Sequence, residues 1–254
     1  MNSRALSVTI VALMASAPAA ADEWKMSVTP YLWATDVGLD VSYADQELVD
    51  VTVPFDYLVE DIETVAQVRF EAMRGRHGVA IDLFDVTLAD EHARIAIPDG
   101  SGNSLLFDSE SGMTIFDATG IYNPAGDGTG VSFLYGARVI NQRNEMEATL
   151  IAGGEAAGTA AHDVEDTFTD ALVGLRYAGH LPGNWSYEVT ADVSTGGTEL
   201  TWSVAPAIGL SFGERNQYHL TAGYRHLVMD FDTRNPVDMD MALSGLLVGF
   251  SYRF

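Results

Sequence analysis

The sequence predicts an all-β protein, a transmembrane antiparallel up-and-down β-barrel of about ten strands. Three observations carry this. Segments of about ten residues alternate apolar and polar side chains along most of the chain, the two-residue period of strands with one apolar face. The turns between them alternate short and long, the asymmetry of barrels that cross an outer membrane. The chain closes on a strand, Asp240 to Phe254 (DMALSGLLVGFSYRF). Here Leu246, Val248, Phe250, Tyr252 and Phe254 share one face, and Gly245, Leu247, Gly249, Ser251 and Arg253 the other. Strands of this length, tilted, match the hydrocarbon layer, and closure is required because an open sheet edge cannot face lipid.

Met1 to Ala21 reads as a secretory signal peptide: Arg4, an apolar run from Ala5 to Met14, and the small-residue end Ala-Pro-Ala-Ala-Ala, with cleavage expected after Ala21. The run is too short to span a bilayer, and no later stretch approaches the length of a transmembrane helix. Residues 22–254 then form one barrel domain. An exported chain with 47% hydrophobic residues and no helical span has the composition of a membrane barrel. Cysteine is absent, which removes disulfides and thiol chemistry. The net charge of −23 argues against nucleic acid or anionic lipid as a partner of the bulk surface.

Taken in order, Trp24 to Ala34 sets Trp24, Met26, Val28, Pro30 and Leu32 against Lys25, Ser27, Thr29, Tyr31 and Trp33. Val65 to Arg74 places Gln67, Arg69 and Glu71 opposite Ala66, Val68 and Phe70; after a short turn, Val79 to Leu88 places Asp82 opposite Val79, Ile81 and Leu83. Met113 to Tyr122 is a strand without a clean face. Val131 to Ile140 turns Val131, Phe133, Tyr135, Ala137 and Val139 outward and Arg138 inward. Phe168 to Tyr177, Trp185 to Ser194, Thr201 to Phe212 and Gln217 to Val228 alternate in the same way before the terminal strand. Pro30 and Pro206 fall inside strands, where a missing N–H predicts local irregularity. The apolar alternation at 39–43 and 49–55 fits a hairpin extending the barrel or two further strands, so eight and twelve strands stay open beside ten.

Long loops are expected at 35–63, 90–111, 144–166 and 231–239. Acids crowd them: Asp45, Glu47, Asp50, Asp56, Glu60, Asp61 and Glu63, then Asp90 and Glu91, then Asp163, Glu165 and Asp166, then Asp230 and Asp232. Solvated loops explain this simply; divalent cations, bridging lipopolysaccharide or bound by the loops themselves, are the functional reading. Trp24, Tyr177, Trp185, Trp202, Phe212 and Tyr218 sit near strand ends, as interfacial aromatics do. The inward faces carry Lys25, Arg69, Glu71, Asp82, Arg138, Asp170, Arg176, Glu188, Asp192, Arg225 and Arg253, nearly balanced in sign. In a narrow lumen such charges pair into a plug or line a thin pore. His219 is also placed inward, and His226 near the upper end of its strand. No histidine stands beside a serine in a nucleophile motif, and neither GxSxG nor HExxH occurs, so no catalytic residue, metal site or cofactor is assigned. Asp230, Asp232, Asp238 and Asp240 lack the glycine and glutamate spacing of an EF-hand.

The terminal strand resembles the C-terminal signal of Gram-negative outer-membrane barrels. That resemblance implies recognition of Gly249, Phe250, Tyr252 and Phe254 by the barrel assembly machinery. The mature start, with Trp24, Pro30, Tyr31, Leu32, Trp33, Ala34, Gly38 and Leu39, resembles a widespread proteobacterial group of outer-membrane barrels, as do Phe55 to Ile62 and Arg69 to Ala72. More distantly, the architecture is similar to OmpA-like and OmpW-like small barrels. These resemblances imply an outer-membrane location amid lipid and lipopolysaccharide, and structural roles or passage of small solutes. Three functions follow as expectations: a narrow porin-like channel with an acidic extracellular mouth, a closed-lumen structural or surface-interaction barrel, and, behind both, a lipid-modifying enzyme.

Overall fold

A computed structural model describes residues 24–43, 46–96, 104–152, 155–232 and 237–254. The expected signal peptide, Met1 to Ala21, and Asp45 lie outside the described residues, as do 233–236 of the last expected loop. The side chains of Glu47, Asp90, Glu91, His92, Asp232 and Asp238 are likewise outside them.

Ten strands close the barrel. They are β1 (Lys25–Tyr43), β3 (Ile62–Arg74), β4 (His77–Ala96), β5 (Ser104–Tyr122), β6 (Gly130–Ala152), β7 (Glu155–His180), β8 (Trp185–Gly196), β9 (Leu200–Phe212), β10 (Tyr218–Asp232) and β11 (Val237–Arg253). Neighbours pair antiparallel, and β11 returns to β1 from Ser27↔Arg253 to Tyr43↔Val237, which closes the ring. The expected count of ten stands. An eleventh strand, β2 (Gln46–Val53), pairs only with the upper half of β1, and the short helix α1 (Phe55–Leu58) follows it. The hairpin reading of the 39–55 segment therefore holds, and β2 is not part of the wall.

The expected loops at 90–111 and 144–166 are corrected. β4 and β5 stay paired up to Ala96↔Ser104, and β6 and β7 up to Ala152↔Glu155, so most of both segments is sheet. Much of 35–63 and 231–239 is strand as well. The reason is solvation. On upper β7, where every residue from Glu155 to Thr167 is exposed, both faces of the strand are wet, so the ladder persists while the apolar face that identifies a strand disappears.

Side chains on the membrane face are apolar and exposed: Val79 and Ile81 on β4, Val131, Phe133 and Tyr135 on β6, Val173, Leu175 and Tyr177 on β7, and Leu246, Val248, Phe250 and Tyr252 on β11. From Val131 to Val139 this face spans about 26 Å along the strand, or about 20 Å of height after tilting. It ends in polar pairs, Thr114 Oγ1 donating to Asp85 at 2.6 Å and Asn141 Nδ2 donating to Thr167 Oγ1 at 2.8 Å. The short-turn end is ringed by aromatics. Tyr218 stacks with Phe250 at 5.9 Å and lies 5.6 Å from Phe212, and Tyr252 stacks with Phe254 at 5.8 Å. Trp24 and Trp185 belong to this end, whereas Trp202 marks the opposite one, packed against His226 at 5.1 Å.

Both strand prolines interrupt a ladder. The β1–β11 pairing skips Thr29 and Pro30 between Val28↔Tyr252 and Tyr31↔Gly249, and the β1–β3 pairing ends at Pro30↔Val68. The β9–β10 pairing skips Ala205 and Pro206 between Gly223↔Ala207 and His226↔Val204. Asn123 organises the β5–β6 turn, donating to Thr129 O at 2.9 Å and accepting from Gly126 N–H at 2.7 Å. In the same turn the Thr129 N–H and hydroxyl, each 2.8 Å away, hold the Asp127 carboxyl below its ordinary pKa.

Tight strand approach depends on Gly136, where an added Cβ would run into the Ala118 carbonyl and the Thr119 backbone of β5. Backbone cannot yield as a side chain does. Gly136→Ala is expected to destabilise the barrel by about 1–3 kcal/mol, measured as a lower urea midpoint for the folded band in unheated gel electrophoresis. Gly158→Ala, with nothing within 4 Å of the new Cβ, should stay within about 0.5 kcal/mol.

Candidate functional site in the barrel interior

Inward positions recur every second residue on each strand, and neighbouring strands bring those of like height together. The interior consequently sorts into three levels along the axis.

The middle level is a belt of ion pairs. Arg138, 1% exposed, holds Asp117 with both prongs of its guanidinium, Nε and Nη2 each at 2.8 Å. Its Nη1 lies 3.0 Å from Asp192 Oδ1, an ion pair too bent to count as a hydrogen bond. Arg225 reaches Asp117 at 4.0 Å. Beside this group, Arg176 grips Glu71 at 2.7 and 3.2 Å and approaches Glu188 at 3.7 Å, while Arg69 bridges Glu71 at 3.2 Å and Asp82 at 3.6 Å. Tyr31 O–H donates to Asp82 at 2.6 Å. Bidentate arginine–carboxylate pairs are the strongest and most directional of such contacts, so the belt ties β1, β3, β4, β5, β6, β7, β8 and β10 across the lumen.

Above the belt the interior is apolar. Trp33, Phe84, Ile115, Ile140, Leu227, Met229, Phe231 and Leu243 form one buried cluster, none more than 3% exposed. Phe168 meets Phe231 at 4.8 Å, and Trp33 meets Phe84 edge-on at 5.3 Å. Arg225 joins the two levels, its guanidinium carbon 4.8 Å from the centre of the Trp33 ring.

Below the belt lies a cavity of about 1390 Å³, lined by residues of the short turns and by the belt's underside. Glu188, whose side chain is 42% exposed, borders it. Lys25 and Arg253 stand exposed at its mouth, where Arg253 donates to Ser211 Oγ at 3.2 Å. His219 is buried on the cavity wall, 3.0 Å from the same hydroxyl. The interior is thus a cup open at the short-turn end.

Of the charged residues expected inside, Arg69, Glu71, Asp82, Arg138, Arg176, Glu188, Asp192 and Arg225 meet in the belt. Lys25 and Arg253 do not reach it. Asp170 is buried but anchors the β8–β9 turn, accepting from the N–H groups of Gly197 and Thr198 at 2.8 and 2.9 Å. Asp117, the acceptor at the centre of the belt, was not among the expected residues; nor was the apolar level. Among the described residues no cluster of three or more histidine or acidic side chains is arranged to hold a metal ion. Asp230 and Asp240 face each other across β10 and β11, with the core residue Phe231 beside Asp230.

Removing Arg138 would leave Asp117 with only the 4.0 Å contact to Arg225 and Asp192 without its cation. Arg138→Leu is expected to cost about 3–5 kcal/mol in urea unfolding, and adding Asp117→Asn should return part of it by withdrawing the unpaired charge. Equal stability of the single variant and the parent would remove the belt from the folding energetics.

No family model and no curated relative matches the chain. Solved structures do resemble it at low identity. Ail, the attachment invasion locus protein of Yersinia pestis, in complex with the heparin analogue sucrose octasulfate, is 11% identical, with 91% of this chain and 99% of that one covered and a TM-score of 0.36. A FadL homologue of Pseudomonas aeruginosa is 7% identical, with coverage of 91% and 90% and a TM-score of 0.31. The toluene transporter TbuX of Ralstonia pickettii is 8% identical, with coverage of 92% and 90% and a TM-score of 0.29.

Proposed function

We propose that this chain is an outer-membrane barrel with a closed lumen, acting as a structural or surface-interaction protein and not as an open pore. One observation carries the reading: eight buried apolar side chains stack directly on the ion-pair belt. A solute or hydrated ion crossing the barrel would have to part the belt and then shed its water in an apolar layer. The exposed apolar band and the aromatic ring at the short-turn end support the membrane location. The terminal run through Phe254 supports delivery by the assembly machinery, with lipopolysaccharide as a natural neighbour of the acidic upper strands.

The porin-like reading draws on a different feature, the cavity that reaches the belt from below. In that reading the apolar level is a gate. Met113, Met239 and Met241, packed against the buried cluster, are the side chains best able to rearrange.

Planar-bilayer recording of the refolded barrel separates the two. The closed-lumen reading expects no discrete conductance steps from the parent protein and steps from Trp33→Ala/Leu227→Ala, which thins the apolar level. Discrete steps from the parent would overturn it, and cation selectivity in the reversal potential would favour a channel with an acidic mouth.

A further inference from the structure

We infer that the upper edge of β7 is a docking site for an extended, cationic peptide segment of a partner protein, which would add to the sheet as another strand. β7 pairs with β6 from Glu155↔Ala152 to Ala178↔Gly130, but with β8 only from Asp170↔Gly196 to Tyr177↔Val189 and on to His180↔Ser186. The Thr169 carbonyl already accepts from Gly197 N–H at 2.9 Å. From Glu155 to Phe168, then, alternate N–H and C=O groups point away from β6 over roughly 45 Å, with no strand beside them among the described residues.

Proteins ordinarily blunt such edges with lysine, proline or a covering loop. This one reads EAAGTAAHDVEDTF, without proline, lysine or arginine, and every residue from Glu155 to Thr167 is exposed. The stretch Ala156 to Ala161 offers little side-chain bulk, so a strand can approach to ladder distance. Specificity comes from charge. Glu155, Asp163, Glu165 and Asp166 flank the edge, Glu145 and Glu147 stand on β6, and Arg143 is the single lysine or arginine from Asn141 to Thr167. A second copy of this chain, also carrying −23, is repelled. A strand with lysine or arginine at alternate positions satisfies the backbone and the carboxylates together.

The test uses the full refolded barrel in detergent micelles and a fluorescein-labelled peptide of alternating lysine and threonine, followed by anisotropy. Saturable binding is expected. N-methylation of the peptide's alternate amides along one edge should weaken it about tenfold or more, since the ladder is lost and the charge kept. Asp163→Asn/Glu165→Gln/Asp166→Asn should weaken it and flatten its salt dependence. Of Ala160→Pro and Ala161→Pro, the one whose N–H faces the free edge should lose binding with the barrel intact. Absence of saturable binding overturns the proposal. So does equal affinity for the two N-methylated forms and the parent peptide, which would mean charge attraction alone. Conductance by the parent barrel bears on the closed lumen alone, so the two proposals fail separately.

Discussion

A backbone that leaves water must hydrogen-bond to itself, and in a chain built of strands this is met only by a ring. The pairing of β11 with β1 supplies the closure, running in register from Ser27 to Tyr43 against Arg253 to Val237. The rest of the architecture follows from it. A ring fixes which residues face lipid and which face inward, and ten strands leave an interior narrow enough for side chains to meet across it. The terminal Phe254 takes part directly, exchanging backbone hydrogen bonds with Met26 at 2.9 and 3.0 Å.

Inside the ring, charge and burial have been reconciled by stacking. An arginine as buried as Arg138 is tolerable only with its carboxylates in place, and those carboxylates need an environment that keeps water from competing. The apolar level above provides it, while the cup below lets the outer members of the belt, Glu188 among them, remain partly hydrated. The belt and the apolar level thus stabilise one another. Arg225 belongs to both, lying between Asp117 and the Trp33 ring.

How much of this could be read from sequence depends on what each strand face touches. Where the outside is lipid and the inside is charged, as on β6, β7 and β8, the alternation is clean and Arg138, Arg176, Glu188 and Asp192 are found at once. It fails on β5. There Met113, Ile115 and Ile121 turn inward and Phe116 outward, because the inside that β5 faces is apolar above the belt and again at Ile121, which packs with Ala80 and Leu134 on the cup wall. The period of two vanishes with the contrast that creates it, and Asp117 vanishes into it. Upper β7 fails for the opposite reason, with every residue from Glu155 to Thr167 exposed and water on both faces.

The two prolines show where the ring principle is strained and what replaces it. Beyond Pro30, β1 parts from β3, and among the described residues the two are not paired again; β2 takes up the free edge only from Val37↔Val53 onward. Between these points side chains substitute for the missing ladder. Trp33 N–H donates to Gln67 Oε1 at 2.6 Å, and the Asp36 carboxylate accepts from Phe55 N–H at 2.8 Å, tying α1 to the gap. The polar residues at 36 and 67 are therefore structural. They satisfy backbone beside the proline that has no strand partner on the β3 side, while on the other side the β1–β11 ladder skips only Thr29 and Pro30 and resumes at Tyr31↔Gly249, so the wall does not open.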